Sequence, residues 1–160
     1  MRVLTVRNPW AWAIVRHGKD VENRTRSLGP YRGLVAIHTA TAMALDAAAL
    51  WPAGIDLPLG RYARDVGGTS GHVIGVVDLA DVHLSADCWR KPWKWETADS
   101  VNGDLCSPWA MHNHHHLVLA NPRPLPRPIP ATDRLGLWRP DDDLLAAITE
   151  QLRPGEDVSA

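Results

Sequence analysis

The chain has 160 residues, a formal net charge of −1 and a hydrophobic content of 45%, the profile of one ordinary globular domain long enough to bury a proper core. No apolar stretch approaches the length of a membrane span, so no membrane partner is expected, and the near-zero net charge argues against a strong electrostatic nucleic-acid binder. Charge is unevenly spread, though: residues 1–40 carry a net of +5 and residues 141–160 a net of −5, so a basic face remains available.

Met1-Arg2 leads straight into the β-like run Val3 to Val6, not into a signal peptide, and residues 2–6 read as a first strand. Asn8 is a good N-cap for a helix over 9–17, with Pro9 at its first position. Trp10, Ala11, Ile14 and Val15 give that helix an apolar stripe, and Gly18 stands where a left-handed residue ends it. Lys19 to about Thr25 is expected to be extended, Gly29-Pro30 marks a turn, and 33–38 reads as a buried strand. The alanine-rich stretch Thr39 to Trp51 predicts a helix that Pro52 cannot continue, and a second, short helix is expected at Arg61 to Asp65. His72 to Leu84 is the longest strand signal. Residues 85–111 have little periodicity and read as a long loop, of the kind that is often functional. His115 to Leu119 is a strand, and residues 121–130, with five prolines, are expected to form an extended, rigid edge. Leu135 to Trp138 is a short final strand, and Asp141 to Leu152 an amphipathic helix with Leu144, Leu145, Ile148 and Leu152 on one face. Five or six strands with two to four helices that do not alternate regularly indicate an α+β domain.

Several groups of residues could carry chemistry. Lys19, Glu22 and Arg24 place an ammonium, a carboxylate and a guanidinium in six residues. Strict alternation separates Lys19 from the other two, but Lys19 follows the helix end and can escape strand geometry, so all three could converge. Lys19 as a base or nucleophile and Glu22 as a proton carrier form a candidate catalytic pair; an ion-pair or ligand-binding role is the favoured reading. Asn8 and Trp10 stand at a helix N-terminus, a place that attracts phosphate. Trp89 to Trp95 interleaves Arg90, Lys91, Trp93 and Lys94 with further aromatics, a pattern that suits stacking and backbone contacts to single strands. The composition is itself unusual, with eight Trp, two Tyr and no Phe. His112, His114 and His116 would share a strand face, yet no Cys or carboxylate stands beside them. Cys88 and Cys106 show no metal spacing and read as reduced thiols. No metal site and no cofactor are expected.

The run Asn8-Pro9-Trp10-Ala11, then Gly18-Lys19, Glu22 and Arg24, resembles the activating-signal-cointegrator homology (ASCH) family. Further segments in the same order are Tyr31-Arg32-Gly33, the apolar strand ending in His38, and the strand Val73 to Leu79. Ser107-Pro108-Trp109, His116 to Leu119, Asn121-Pro122-Arg123-Pro124 and Leu135-Gly136-Leu137-Trp138 complete the match. The resemblance implies a PUA-like mixed β-barrel with peripheral helices over residues 1–140, with 141–160 as a C-terminal acidic helix and tail of the same domain. It implies a nucleic-acid or nucleoside ligand, and in some relatives hydrolysis. In the relatives that cleave 4-acetylcytidine it implies a lysine, threonine and glutamate set; Lys19 matches the lysine, and Glu22 stands where that threonine is expected.

The expectation is therefore a cytoplasmic module, its oligomeric state open with a monomer favoured, that binds single-stranded RNA, DNA or a modified nucleoside. Its basic cleft would lie between the first helix and the barrel, using Asn8, Trp10, Arg24, Arg32, Arg90, Lys91, Trp93 and Lys94. The alternative is a small amidohydrolase or ribonuclease that uses Lys19 and Glu22 in the same cleft.

Overall fold

A computed structural model of the chain describes residues 1–52, 54–56, 58–66, 68–90 and 105–153. One six-stranded mixed sheet curls into a half-barrel, the α+β PUA-like architecture expected. In chain order the strands are β1 (Arg2–Val6), β2 (Val21–Arg24), β3 (Gly33–Thr39), β4 (His72–Leu84), β5 (His115–Pro130) and β6 (Leu137–Trp138). The spatial order is β2-β5-β4-β3-β1-β6. Among the described residues β1 and β3 run parallel, and the other neighbours are antiparallel. Helices α1 (Trp10–Arg16), α2 (Ala47–Leu50), α3 (Leu59–Val66) and α4 (Asp142–Leu152) surround the sheet.

Alternation along the strands divides the core between the two faces of the sheet. On one face Leu4, Val35, Ile37, Val77, Leu79 and Leu117 pack against Ala11, Ile14 and Val15 of α1. On the other, Val3, Ala36, Val73, Val76 and Leu125 meet Leu144 and Ile148 of α4. Helix α1 comes very close to β4. A Cβ at Gly75 would stand 2.6 Å from Cγ1 of Val15, so only glycine fits there. Helix α4 is capped as its acidic start suggests, with Oδ1 of Asp141 accepting from the Leu144 amide at 2.9 Å.

Three local expectations change, and a fourth, the extended proline-rich edge, holds and is extended. Asn8 does not cap α1: Pro9 holds the cap position with no side-chain bond. The predicted helix over Thr39 to Trp51 shrinks to Ala47–Leu50. Hydrogen bonds from the Ala40 amide to the Val6 carbonyl (2.8 Å) and from the Ala44 amide to the Asn8 carbonyl (2.9 Å) dock this chain onto the end of β1, overriding alanine's helix propensity. The proline-rich edge is the second half of β5 and pairs with β4, which makes β5 the longest strand. Proline is tolerated because β2 pairs only with Val118 to His115, leaving this half with β4 alone as its strand partner among the described residues. Finally, His112 and His114 precede the strand, and of the three histidines only His116 lies within it.

Candidate nucleic-acid or nucleoside site

Lys19 owes its position to the end of α1. Gly18 adopts φ +69°, and the Lys19 amide donates to the Ala13 carbonyl at 3.0 Å. The chain is not yet in strand geometry, so the side chain escapes the alternation that would send it away from Glu22. Its ammonium lies 3.0 Å from Oε2 of Glu22 and also donates to the Val21 carbonyl. Arg24, two residues along β2, reaches the other oxygen of Glu22 at 3.2 Å and donates to the Thr5 carbonyl at 2.8 Å. The three charges converge, and Lys19 and Glu22 are almost wholly buried, at 4% and 8% exposure.

Above this network stand three indoles. Trp10 and Trp51 stack with centroids 5.3 Å apart and planes at 16°. Trp109 meets both edge-on, 6.4 Å from Trp10 and 5.0 Å from Trp51. The Lys19 ammonium is 5.8 Å from the Trp10 ring centre and 6.0 Å from that of Trp109, within cation–π range. Asn23 fixes the third indole from beneath: its Nδ2 donates to the Trp109 carbonyl at 2.8 Å, and its Oδ1 accepts from the Met111 amide at 2.9 Å. Ser107 adds a second tie, accepting from the Trp109 amide and donating to Asp20. Asp20 keeps part of its surface in solvent. Even so, burial of its carboxyl raises the pKa above the usual 3.8, an effect that the Ser107 bond and the Lys19 charge only partly offset.

These side chains enclose a cleft of about 600 Å3, lined by Trp10, Lys19, Glu22, Asn23, Trp51 and Trp109 among others. A second cleft, of about 530 Å3, shares Trp10, Glu22, Asn23, Asp46 and Leu50 with it and adds Arg7, Arg24 and Arg134. The two form one groove with an aromatic end and an arginine end. A basic cleft was expected; the groove's charge is mixed, since Glu22, Asp46 and Asp133 line it beside Lys19, Arg7, Arg24 and Arg134.

The structure thus gathers Trp10, Lys19, Glu22 and Arg24 into one groove. Asn8 lies outside it, 2% exposed, with Oδ1 buried and unpaired among the described residues. Arg32 is elsewhere, bonded to the Tyr31 and Val82 carbonyls and 3.7 Å from Asp81. Lys91, Trp93 and Lys94 and the side chain of Arg90 lie outside the described residues. Sequence reading missed Trp51, Asn23, Arg7 and Arg134 as groove residues. The surplus of Trp over Phe was the one available signal for Trp51.

No protein-family model matches the chain, and no curated protein matches it in sequence. The solved structures do give a match. The chain is similar to ASCH from Zymomonas mobilis at 15% identity and a TM-score of 0.50, covering 92% of this chain and 93% of that one. Two single-residue mutants of the Zymomonas mobilis protein match equally, at 15% identity and TM-score 0.50, covering 92% and 93% of this chain and 96% and 94% of theirs. The protein has an ASCH-type fold. Among the described residues, no helix is long and apolar enough to cross a membrane.

Proposed function

We propose that the groove binds single-stranded nucleic acid or a nucleoside. A base would stack on the Trp10, Trp51 and Trp109 surface, with sugar and phosphate directed toward Arg7, Arg24 and Arg134. The observation that carries this reading is the polarity of the groove: three indoles at one end, three guanidinium groups at the other, and a floor of Lys19, Glu22 and Asn23 between them. Every base has a flat π-face, and stacking on an indole contributes about 1–3 kcal/mol per base without demanding a sequence. The aromatic cleft, at about 600 Å3, falls in the range of small-molecule sites. The mixed charge favours modest affinity with a shallow salt dependence.

One observation supports a second reading, hydrolysis. Lys19 and Glu22 both line the cleft with their charged atoms 3.0 Å apart, and such a pair could transfer a proton to or from a bound nucleoside. Binding is preferred because both groups are already engaged: Glu22 holds Arg24 with its second oxygen, and Lys19 also serves the Val21 carbonyl. The test is titration with free nucleosides, acetylated cytidine included, and with single-stranded RNA and DNA at two salt concentrations. Quenching of indole emission on saturable binding would support the proposal; the absence of saturable binding to every one of them would refute it.

A further inference from the structure

Behind the groove's aromatic wall, four side chains converge where β4, the 3-10 turn Ser85–Arg90 and β5 meet. They are His83, Cys88, Cys106 and His116, and their ligand atoms all lie within 4.8 Å of one another. Sγ of Cys88 is 3.4 Å from Nε2 of His83 and 3.3 Å from Nδ1 of His116, and Sγ of Cys106 is 3.2 Å from the same Nδ1. The cysteines do not form a disulfide. None of the four lines the groove. We propose that they form a tetrahedral Cys2His2 site for a zinc ion.

Three features support the assignment. The first is size. Zinc bound at about 2.3 Å to sulfur and about 2.0–2.1 Å to nitrogen needs ligand atoms roughly 3.3–3.8 Å apart at the corners of its tetrahedron. The three sulfur–nitrogen separations, 3.2–3.4 Å, require only a slight opening.

The second feature is the outer hydrogen bonding. Nε2 of His116 is 2.8 Å from the Met111 carbonyl, which can only accept, so this nitrogen carries the proton and Nδ1 turns a lone pair toward both sulfurs. Nδ1 of His83 is 2.8 Å from Oδ2 of Asp81, which leaves Nε2 as the lone pair facing Cys88. A carboxylate or carbonyl behind each imidazole is how zinc-binding histidines are oriented. Arg32 in turn lies 3.7 Å from the other oxygen of Asp81, so this arginine supports the orienting carboxylate.

The third feature is donor chemistry. Two sulfurs and two imidazoles suit zinc, and four protein ligands leave no open position, which marks a structural site and not a catalytic one. Both thiols would bind as thiolates. Loading would therefore release two protons per ion, and the two thiolate charges would balance Zn2+. His83, Cys88 and His116 are buried, Cys106 half-buried. The ion would tie β4 to β5 and pin both ends of the chain between Cys88 and Cys106. Ser107 and Trp109 follow directly, so it would also brace the aromatic wall of the groove.

The 160-residue chain, purified without chelators, should contain one zinc per molecule. Replacing it with Co2+ should produce the d–d absorption of a tetrahedral ion together with sulfur-to-metal charge-transfer bands. Stripping with a chelator should lower Tm and make both cysteines react rapidly with a thiol reagent, and adding Zn2+ back should reverse both effects. Cys88→Ser and Cys106→Ser should each abolish stoichiometric zinc. Asp81→Ala should keep the ligands and weaken zinc affinity about 10- to 100-fold. Should a cysteine variant fail to fold, the cycle of stripping and reloading the wild type decides alone. Substoichiometric zinc after reloading, an octahedral Co2+ spectrum, or a Tm and thiol reactivity indifferent to zinc would each overturn the proposal.

Discussion

The ammonium of Lys19 lies 3.0 Å from Oε2 of Glu22, and both groups are almost fully removed from solvent. Breaking one side of such a pair leaves a buried charge incompletely compensated, at about 3–5 kcal/mol. Lys19→Met should therefore lower stability markedly, as read by chemical denaturation. The conservative variants separate binding from catalysis. Lys19→Arg keeps the charge but cannot act as a base; Glu22→Gln keeps the shape but cannot carry a proton. A binding groove should retain most of its affinity for a nucleoside in both. Turnover of acetylated cytidine or RNA by the wild type, lost in both variants while binding persists, would instead establish the hydrolase.

The convergence of Lys19 with Glu22 was legible in the sequence because Gly18 announces the helix end and frees Lys19 from strand alternation. The strand from His72 to Leu84 was legible too, down to its ends, because β-branched residues and a long apolar run leave no helical period. The groove's aromatic wall was not. Asn23 and Trp109 are 86 residues apart, and Trp51 lies beyond an alanine-rich segment whose helical propensity yields to bonds with β1. The clustering of Cys88 and Cys106 with His83 and His116 was hidden for the same reason: the ligands come from two long antiparallel strands and their connection, so no short spacing records them.

Asn23 is the strut beneath Trp109. Asn23→Leu removes both its donor and its acceptor, leaving the Trp109 carbonyl and the Met111 amide without their partners. A stability loss of about 1–3 kcal/mol per orphaned group is expected, with weakened ligand binding as Trp109 loses its fixed position. Unchanged stability and unchanged affinity would show that Asn23 is not the strut.

Gly75 sets the approach of α1 to β4. Gly75→Ala would place a methyl group 2.6 Å from Val15 Cγ1 and 3.1 Å from the Arg123 carbonyl oxygen, and overpacking of this kind costs about 1–3 kcal/mol. Val15→Ala in the same chain should relieve part of the strain, so the double variant should lose less than the sum of the two singles. Strict additivity in denaturant titrations would place the clash elsewhere.

Asp20 makes a pH-dependent contribution. Burial raises its pKa in the folded chain, so the folded state holds a proton that the unfolded chain has released. Stability from this group is fully present below the usual 3.8 and is lost as pH rises through the raised value. Asp20→Asn can still accept the Ser107 hydrogen bond but cannot ionise. Its Tm relative to wild type should rise across that acidic window and then level off. A relative Tm that is flat there, or that falls, would contradict the sign.

The most direct test of the groove is calorimetric titration of a single-stranded oligonucleotide into the wild type and into Trp51→Ala. Trp51 is half-buried and stacked on Trp10, with its one polar atom bonded to the Ile55 carbonyl. Removing one stacking platform should cost about 1–3 kcal/mol, roughly a 5- to 150-fold loss of affinity. Trp51→Tyr should recover part of that loss. Equal affinity in wild type and Trp51→Ala, with both proteins folded by circular dichroism, would contradict base stacking in the groove.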